Sequence, residues 1–316
     1  MKEIKFAFIW CLSIIFVFFL TNCPFNKDDN DNNIKKEISI NGTYVANWAE
    51  AMKIIKNGGD NKEYNIAISG DIAIFPSDYD NPTFGPLNNI EVILEGEGRL
   101  YLTDKGSIFW LGGGLYNPKQ SLVINGQIIL EGLSLDGNGN QNNNAPIIVV
   151  SDEGTLEMKN GIITGNTIFG AINSGGVSVS SNGIFTMTGG AITGNTSTTY
   201  SGGVWVSGTF IMSGGIINGN KASIGGGVYI SGNYASFSKS GNSIIYGTNT
   251  TLEENRNVAI MTGETYGHYG SAVFFRKSDS NQYYCEYTLD EDQNISTYIL
   301  PTNYGLNNAI GNWIKK

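Results

Sequence analysis

A thirteen-residue block recurs in the second half of the chain, and this repeat constrains the fold more than any other feature. The copies read GTLEMKNGIITGN, GIFTMTGGAITGN and GTFIMSGGIINGN, and they begin at Gly154, Gly183 and Gly208. A degraded fourth copy covers residues 235–249. Each period contains three short strand patterns separated by glycine-rich turns and contains no helix pattern. A repeat of this length without a helix predicts a solenoid of stacked coils.

Equivalent positions of stacked coils lie above one another at a spacing of about 4.8 Å. The alignment predicts one aromatic or aliphatic ladder, one methionine ladder that Lys239 interrupts, and one asparagine ladder at a turn. Their members are, in that order, Leu156, Phe185, Phe210 and Phe237; Met158, Met187 and Met212; and Asn166, Asn195 and Asn220. About nine coils would give a rod about 40 Å long. The predicted fold is therefore all-β, a single-stranded right-handed parallel β-helix.

Both ends of such a rod need covers, because open strand edges invite aggregation. Residues 41–63 contain a helix pattern, in which Val45, Trp48, Met52 and Ile55 form one apolar stripe. Asn47 followed three residues later by Glu50 is typical of a helix N-terminus. We therefore expect an N-terminal capping helix in 41–63, β-helix coils in 64–249 and a non-repeat C-terminal cap in 250–316.

The N-terminus has the composition of a secretory signal. A charged start precedes fifteen apolar or small residues at 6–20, which is short for a membrane span. The LTNC sequence that ends at Cys23 resembles the bacterial lipobox, although Asn22 departs from the usual small residue. That resemblance implies a signal peptide in 1–22, acylation (palmitate) of Cys23, and a flexible tether in 23–40. The alternative is an uncleaved signal anchor in which Cys23 is an ordinary thiol.

The charge of the chain disfavours some partners. The formal net charge is −9, and no cluster of lysine or arginine is present. Nucleic acids are disfavoured because phosphate binding needs clustered basic side chains. An acidic polysaccharide is disfavoured less strongly, since a local basic groove could still bind one.

The sequence shows no catalytic constellation, metal-ligand spacing or cofactor motif. His268 is the only histidine, and residues 154–238 contain only Glu157, Lys159 and Lys221 as charged residues. Polysaccharide-cleaving sites need several carboxylates with a basic partner on one face. The N-terminal coils hold the candidates, which are Asp71, Asp78, Asp80, Glu95, Glu97, Arg99, Asp104, Lys105, Glu131 and Asp136. Alternating spacing equally predicts a solvated outer face for them.

Aromatic residues suggest a binding face. In the GGVWV and GGVYI strands the valines are expected to point inward, which places Trp205 and Tyr229 outward. Ser178 occupies the matching position one coil earlier. A flat face with these three residues could dock sugars or a protein. Alternatively, the aromatic rings pack beneath a loop or the C-terminal segment.

Several motifs together resemble the right-handed parallel β-helix lipoproteins of Treponema-type spirochaetes. They are the LTNC lipobox, the NWAEAMKIIKNGG helix, the FTMTGGAITGN and SGGVWVSG coils, and the closing FSKSGNSIIYGTN segment. The GGAI tetrapeptide is also similar to the repeats of chlamydial polymorphic outer-membrane proteins, but their partner motif is incomplete here. The first resemblance implies an outer-membrane lipoprotein, and the second implies cell-surface adhesion only by analogy.

These observations favour a non-enzymatic, lipid-anchored envelope protein that presents an interaction surface to a host protein or glycan. A carbohydrate-active β-helix enzyme that uses the N-terminal carboxylates is the first alternative. A purely structural envelope spacer is the second.

Overall fold

A computed structural model shows a parallel β-solenoid with one short N-terminal helix, as the repeat predicts. The structure describes residues 37–76, 82–113, 118–133, 143–170, 174–232, 234–248, 250–259, 271–276, 282–285, 289 and 314–315. The signal peptide, Cys23 and the tether before residue 37 lie outside these ranges.

The described strands, numbered in chain order, form three sheets. Sheet 1 contains β1 (Glu37–Ile40), β2 (Thr43–Val45), β3 (Lys62–Ile74), β4 (Ile90–Leu102), β6 (Gln120–Ile124), β7 (Gln127–Glu131), β9 (Gly154–Met158), β10 (Ile162–Thr164), β13 (Ile184–Thr193), β16 (Thr209–Asn218), β19 (Ser236–Lys239) and β20 (Ile244–Ile245). Sheet 2 contains β5 (Phe109–Leu111), β8 (Ile148–Val150), β12 (Val177–Val179), β15 (Val204–Val206), β18 (Val228–Ser231), β22 (Val273–Arg276), β23 (Gln282–Cys285) and β24 (Ile314–Lys315). Sheet 3 contains β11 (Thr167–Ile168), β14 (Thr196–Ser197), β17 (Lys221–Ala222) and β21 (Val258–Ala259).

One coil passes through the three sheets in turn. The coil that starts at Ile184 runs along β13, bends at Gly190, turns at Asn195 into β14, and then enters β15. Gly190 has a φ of 78°, which glycine adopts without a steric penalty. The solenoid has about 6 turns.

The prediction of about nine coils was therefore wrong. Lys62 pairs with Ile90, which is 28 residues further on, and Gln120 pairs with Gly154, which is 34 residues further on. The early coils are longer than the repeat suggested because they carry longer connections between the sheets.

The predicted inward ladders are confirmed. Leu156, Phe185, Phe210 and Phe237 pair in register, and all four are buried. The rings of Phe185 and Phe210 are stacked at 4.7 Å, and those of Phe210 and Phe237 at 5.4 Å. Burial of each such side chain stabilises the fold by about 1.5–3 kcal/mol.

The methionine ladder also forms as predicted. Met158, Met187 and Met212 stack in successive coils, and Lys239 occupies the next position while being only 2 % exposed. A third inward ladder runs through the second half of sheet 1. Its members are all aliphatic and in register, namely Ile72, Leu100, Leu130, Ile163, Ile192, Ile217 and Ile245.

The asparagine ladder is confirmed and is longer than predicted. Asn166, Asn195 and Asn220 are fully buried, and Asn143 and Asn257 extend the ladder at its two ends. The Asn220 side chain donates to Asn257 Oδ1 at 3.0 Å, and the Asn195 side chain donates to Asn220 Oδ1 at 3.2 Å.

These amides also satisfy the backbone at each turn. Asn195 Nδ2 donates to the carbonyl oxygens of Ile163 and Thr193, each at 3.1 Å. Asn195 Oδ1 accepts from the backbone N–H of Asn166 at 3.2 Å. Buried backbone groups left unpaired at a turn would cost free energy, so each amide holds its own coil and the adjacent coil together.

The turn beside this ladder leaves no space for a side chain. A Cβ atom added at Gly176 would lie 2.6 Å from the carbonyl oxygen of Gly203 and 3.3 Å from Asn195 Nδ2. The SGGV motif therefore contains glycine so that successive coils can approach the asparagine ladder closely.

The N-terminal helix forms, but it is shorter than predicted. Helix α1 spans Trp48–Lys56, and Asn47 caps it by accepting from the backbone N–H of Glu50. The Glu50 carboxylate accepts from the backbone N–H of Ala46 at 2.7 Å, which completes a capping box. The apolar stripe of the helix is buried, and the Trp48 ring packs edge-on against Phe109 at 5.6 Å.

A β-hairpin precedes the helix, in residues assigned from the sequence to the tether and to the capping helix. Strands β1 and β2 pair across Asn41 and Gly42, which both have positive φ. Asn-Gly is the preferred pair for a two-residue hairpin turn. Strand β1 pairs antiparallel with β3, so the hairpin covers the first edge of sheet 1.

Tyr64 connects the helix to the first coil. Its hydroxyl group donates to the Ile55 carbonyl oxygen at 3.4 Å, and its ring is buried. Burial raises the pKa of Tyr64 above its usual value of 10.0.

Parallel stacking continues beyond residue 249, where the sequence analysis ended the coils. Strand β21 pairs parallel with β17, and β22 pairs parallel with β18. Strands β23 and β24 then add antiparallel to β22. The described part of 250–316 therefore includes solenoid strands as well as an antiparallel end.

The asparagine ladder predicts a large loss of stability in Asn195→Ala. This change leaves the Asn166 N–H and two carbonyl groups without their side-chain partner, and we expect a loss of about 3 kcal/mol. Urea unfolding of the full chain measures it. Exposed Asn182→Gly is the control, and it should change stability by about 0.5 kcal/mol or less. Equal losses in the two variants would contradict the role of the ladder.

Candidate functional site

The outer face of sheet 2 brings the three predicted binding residues together. Ser178 pairs with Trp205, and Trp205 pairs with Tyr229, so the three occupy one row in successive coils. Phe274 follows in the next coil, with its ring stacked on Tyr229 at 5.2 Å. The predicted row is therefore present, but its role in binding stays a prediction.

The predicted exposure of this row was wrong for two of its members. Tyr229 is 2 % exposed and Ser178 is 4 % exposed, whereas Trp205 is half-buried. Tyr200 and Ile224 pack against Tyr229 from the segments that lead into β15 and β18, and the Tyr200 and Tyr229 rings are 5.1 Å apart. The row is thus largely a covered satellite core. Trp110, at 40 % exposure, is the most accessible aromatic residue of the same outer face.

The predicted carboxylate face of the N-terminal coils contains one ion-paired group. Arg99 on β4 donates to Asp71 on β3 at 2.6 Å and to Glu131 on β7 at 2.7 Å. Its guanidinium also lies 4.7 Å from the centre of the Tyr101 ring. Burial acts to lower the pKa of Arg99, but the hydrogen bonds to Asp71 and Glu131 outweigh it and raise the pKa. Arg99 therefore links three successive coils as a permanent cation.

The remaining acidic candidates do not join this group. Glu95 and Glu97 are exposed on the outer face of β4, and Asp104 and Lys105 are exposed after it. Asp78, Asp80 and Asp136 lie outside the described residues, as does His268. No group of three or more potential metal ligands occurs within the described ranges.

A shallow groove of about 600 Å³ lies on the outer side of sheet 1, at the corner where β3, β4, β6 and β9 begin. Its central row contains the outward side chains of four successive coils. In order along the solenoid these are Glu63, Glu91, Ser121 and Thr155, which we call the groove row.

The rim of the groove is built by the turn residues that precede these strands. They are Asn61, Asn89, Lys119 and Glu153, which we call the rim residues. Asn61, Asn89 and Glu153 have positive φ, a conformation that asparagine tolerates better than most residues. Asn89 Nδ2 donates to Asn61 Oδ1 at 2.8 Å, so the rim also connects one coil to the next.

Gln120 fixes the floor of the groove. Its side chain is buried, donates to the Gly85 carbonyl oxygen at 2.7 Å, and accepts from the Gly112 N–H at 3.2 Å. Ile90, which is also buried, forms the adjacent part of the floor. In the groove row, Ser121 donates to Glu91 at 3.3 Å. The groove therefore presents carboxylates, hydroxyls and amides on a rigid surface.

Sequence analysis missed this groove. The four coils that form it have no common repeat, since 28, 30 and 34 residues separate the successive partners Lys62, Ile90, Gln120 and Gly154. Only the strand register identifies Glu63, Glu91, Ser121 and Thr155 as equivalent. The positive-φ asparagines before β3 and β4 were the one local signal for it.

Comparisons of the chain with protein families, characterised proteins and solved structures found no match. The solenoid fold implied by the spirochaetal resemblance is shown by the structure, whereas membership of that family stays a prediction. In the part of the chain that the structure describes, the single α-helix is too short to cross a membrane.

The Arg99 group predicts a salt-dependent contribution to stability. Arg99→Gln removes two charge-assisted bonds from partly exposed carboxylates, and we expect a loss of about 1 kcal/mol at low salt that shrinks at high salt. Urea unfolding at the two salt concentrations measures the effect. Arg256→Gln is the control, because that arginine contacts only the more exposed Glu253 among the described acidic residues. A loss independent of salt would contradict the electrostatic explanation.

Proposed function

We propose that this protein is a lipid-anchored, non-enzymatic envelope protein whose solenoid presents a binding groove to a partner. The observation that supports this most is the groove on sheet 1, which combines outward side chains from four successive coils. Inward ladders hold the coils together, so the outward positions are available for recognition. Binding sites in proteins are typically concave surfaces with a few fixed polar groups.

The proposed location rests on the sequence. An apolar segment at 6–20 followed by Cys23 resembles the signal and lipobox of bacterial lipoproteins, and spirochaetal β-helix lipoproteins share the helix and coil motifs. Two acyl chains on one cysteine give stable membrane anchoring. In this proposal the lipid holds the chain at the outer membrane, and the solenoid binds a glycan or a host protein.

An enzymatic function receives less support. A retaining or inverting glycosidase needs one carboxyl group that donates a proton and a second that acts as nucleophile or base. Among the described carboxylates, Asp71 and Glu131 are both bound by Arg99. That arrangement favours a structural role for both, because a cation keeps a carboxylate deprotonated and engaged.

A polysaccharide panel tests the binding function against the alternatives. The full chain in detergent micelles is mixed with neutral, acidic and basic polysaccharides and separated on a sizing column. We expect co-elution with at least one polysaccharide whose size does not change with time. Progressive shortening of a polysaccharide would overturn the non-enzymatic proposal. Absence of co-elution with every polysaccharide would favour the spacer or a protein partner.

The anchor proposal predicts different behaviour for two cysteine variants. Cys23→Ser should remove the lipid, so the chain should lack the mass of the acyl groups and keep its signal peptide. Cys11→Ser changes a cysteine inside the apolar segment and should leave acylation unaffected. Mass spectrometry of protein from a bacterial host that acylates lipoproteins measures both. An unchanged mass in Cys23→Ser, apart from the substitution itself, would refute the anchor.

A further inference from the structure

The groove row repeats along the solenoid axis with the spacing of the coils. Glu63, Glu91, Ser121 and Thr155 lie on strands that pair in register, so adjacent members are about 4.8 Å apart along the axis. The full row spans three such intervals, or about 14 Å. A ligand that matches this row must itself be a linear polymer with a short, regular repeat.

The chemistry of the lining selects among linear polymers. The groove row and the rim offer carboxylate and hydroxyl oxygens, amide groups and two lysines, and the only apolar residue in the lining is the buried Ile90. A peptide or lipid that binds through apolar groups would find no complementary surface. A chain with many hydroxyl groups would find a donor or an acceptor at every coil.

The charge of the lining disfavours an ionic polymer. Lys62 and Lys119 nearly balance Glu63, Glu91 and Glu153, so the groove has a formal charge of −1. Glu63 and Glu91 lie directly opposite each other on paired strands, where a second anionic chain would add repulsion. Neither a strongly acidic nor a strongly basic polymer is complementary to this mixture.

We propose that the groove binds a linear, neutral glycan that lies along the solenoid axis, with about one sugar unit for each coil. An extended glycan advances per sugar by a distance close to the spacing between coils. Its hydroxyl groups can then meet the groove row and the rim residues repeatedly. This inference rests on the proposed binding function and specifies the ligand class of the same groove.

Rigidity supports this assignment. The Gln120 side chain is held at both ends of its amide, and Asn61 is bonded to Asn89 across two coils. Polar groups held in place before binding lose little conformational freedom when a ligand arrives. A hydroxyl-rich ligand can therefore be selected by position rather than by burial of apolar surface.

The test uses a blocking variant and a control at the same register position. Ser121→Trp places a large side chain in the middle of the groove row. Ser236→Trp places the same side chain in the same row three coils beyond Thr155, outside the groove, because Thr155, Ile184, Thr209 and Ser236 pair successively. Both serines are partly exposed on the outer face of sheet 1, so neither change alters the inward ladders.

Isothermal titration calorimetry of the full chain in detergent measures binding of three hexasaccharides. Cellohexaose and N-acetylchitohexaose are the neutral probes, and hexagalacturonate is the acidic probe. We expect the unaltered chain and Ser236→Trp to bind at least one neutral probe with equal affinity. Ser121→Trp should bind that probe at least about tenfold more weakly, and hexagalacturonate should bind more weakly than the neutral probe.

Each other outcome overturns the assignment. Equal binding by Ser121→Trp would place the glycan elsewhere, and tighter binding of hexagalacturonate would exclude a neutral ligand. Absence of binding by every neutral probe would also refute it. If the polysaccharide panel nevertheless gives co-elution, the binding function stands and only this groove assignment fails. Urea unfolding of the two tryptophan variants, with unchanged midpoints expected, verifies that both are folded.

Discussion

The stack of coils depends on buried amide groups that each bond to two coils at once. Five asparagines are aligned at one turn, and Asn166, Asn195 and Asn220 have no exposed surface. An apolar ladder tolerates small shifts, since dispersion and burial have little directional preference. A hydrogen bond at 3.0 Å between amides of successive coils does not tolerate them, because its strength falls steeply with distance and angle. The asparagine ladder therefore sets the register in which every other ladder forms.

A fixed register separates structural from functional positions. Inward positions repeat their chemistry from coil to coil, as Phe185, Phe210 and Phe237 do, because each side chain packs against the next. Outward positions have no such constraint. The same outward row changes from Glu63 and Glu91 in the first coils to Thr209 and Ser236 in the last. A groove specific to the N-terminal coils can therefore exist on a scaffold whose interior is uniform.

The sequence predicted the features that the repeat expresses and missed those that it does not. The inner ladders and Asn166, Asn195 and Asn220 follow directly from the alignment of the three copies. Asn143 and Asn257 belong to the same ladder, but their flanking sequences do not contain the thirteen-residue block. Nothing short of three-dimensional stacking identifies them.

The candidate site was harder to predict for two physical reasons. Whether Tyr229 is exposed depends on Tyr200 and Ile224, which reach it from connections between sheets, and no periodicity describes those connections. The groove row consists of residues 28 to 34 positions apart in coils of unequal length. Alternation along a strand gives the side on which a residue lies, but only pairing shows which residues of other strands lie beside it.

Lys239 gives the methionine column a defined end. Its side chain occupies the inward position above Met212 and is almost fully buried. Another coil stacked on β19 would have to place an apolar side chain against an ammonium group, which is unfavourable in a region of low dielectric constant. The first edge of sheet 1 is closed by a hairpin, and this column is closed by charge. A scaffold made of self-complementary units is thus prevented from growing into a fibre by the sequence of its own final coil.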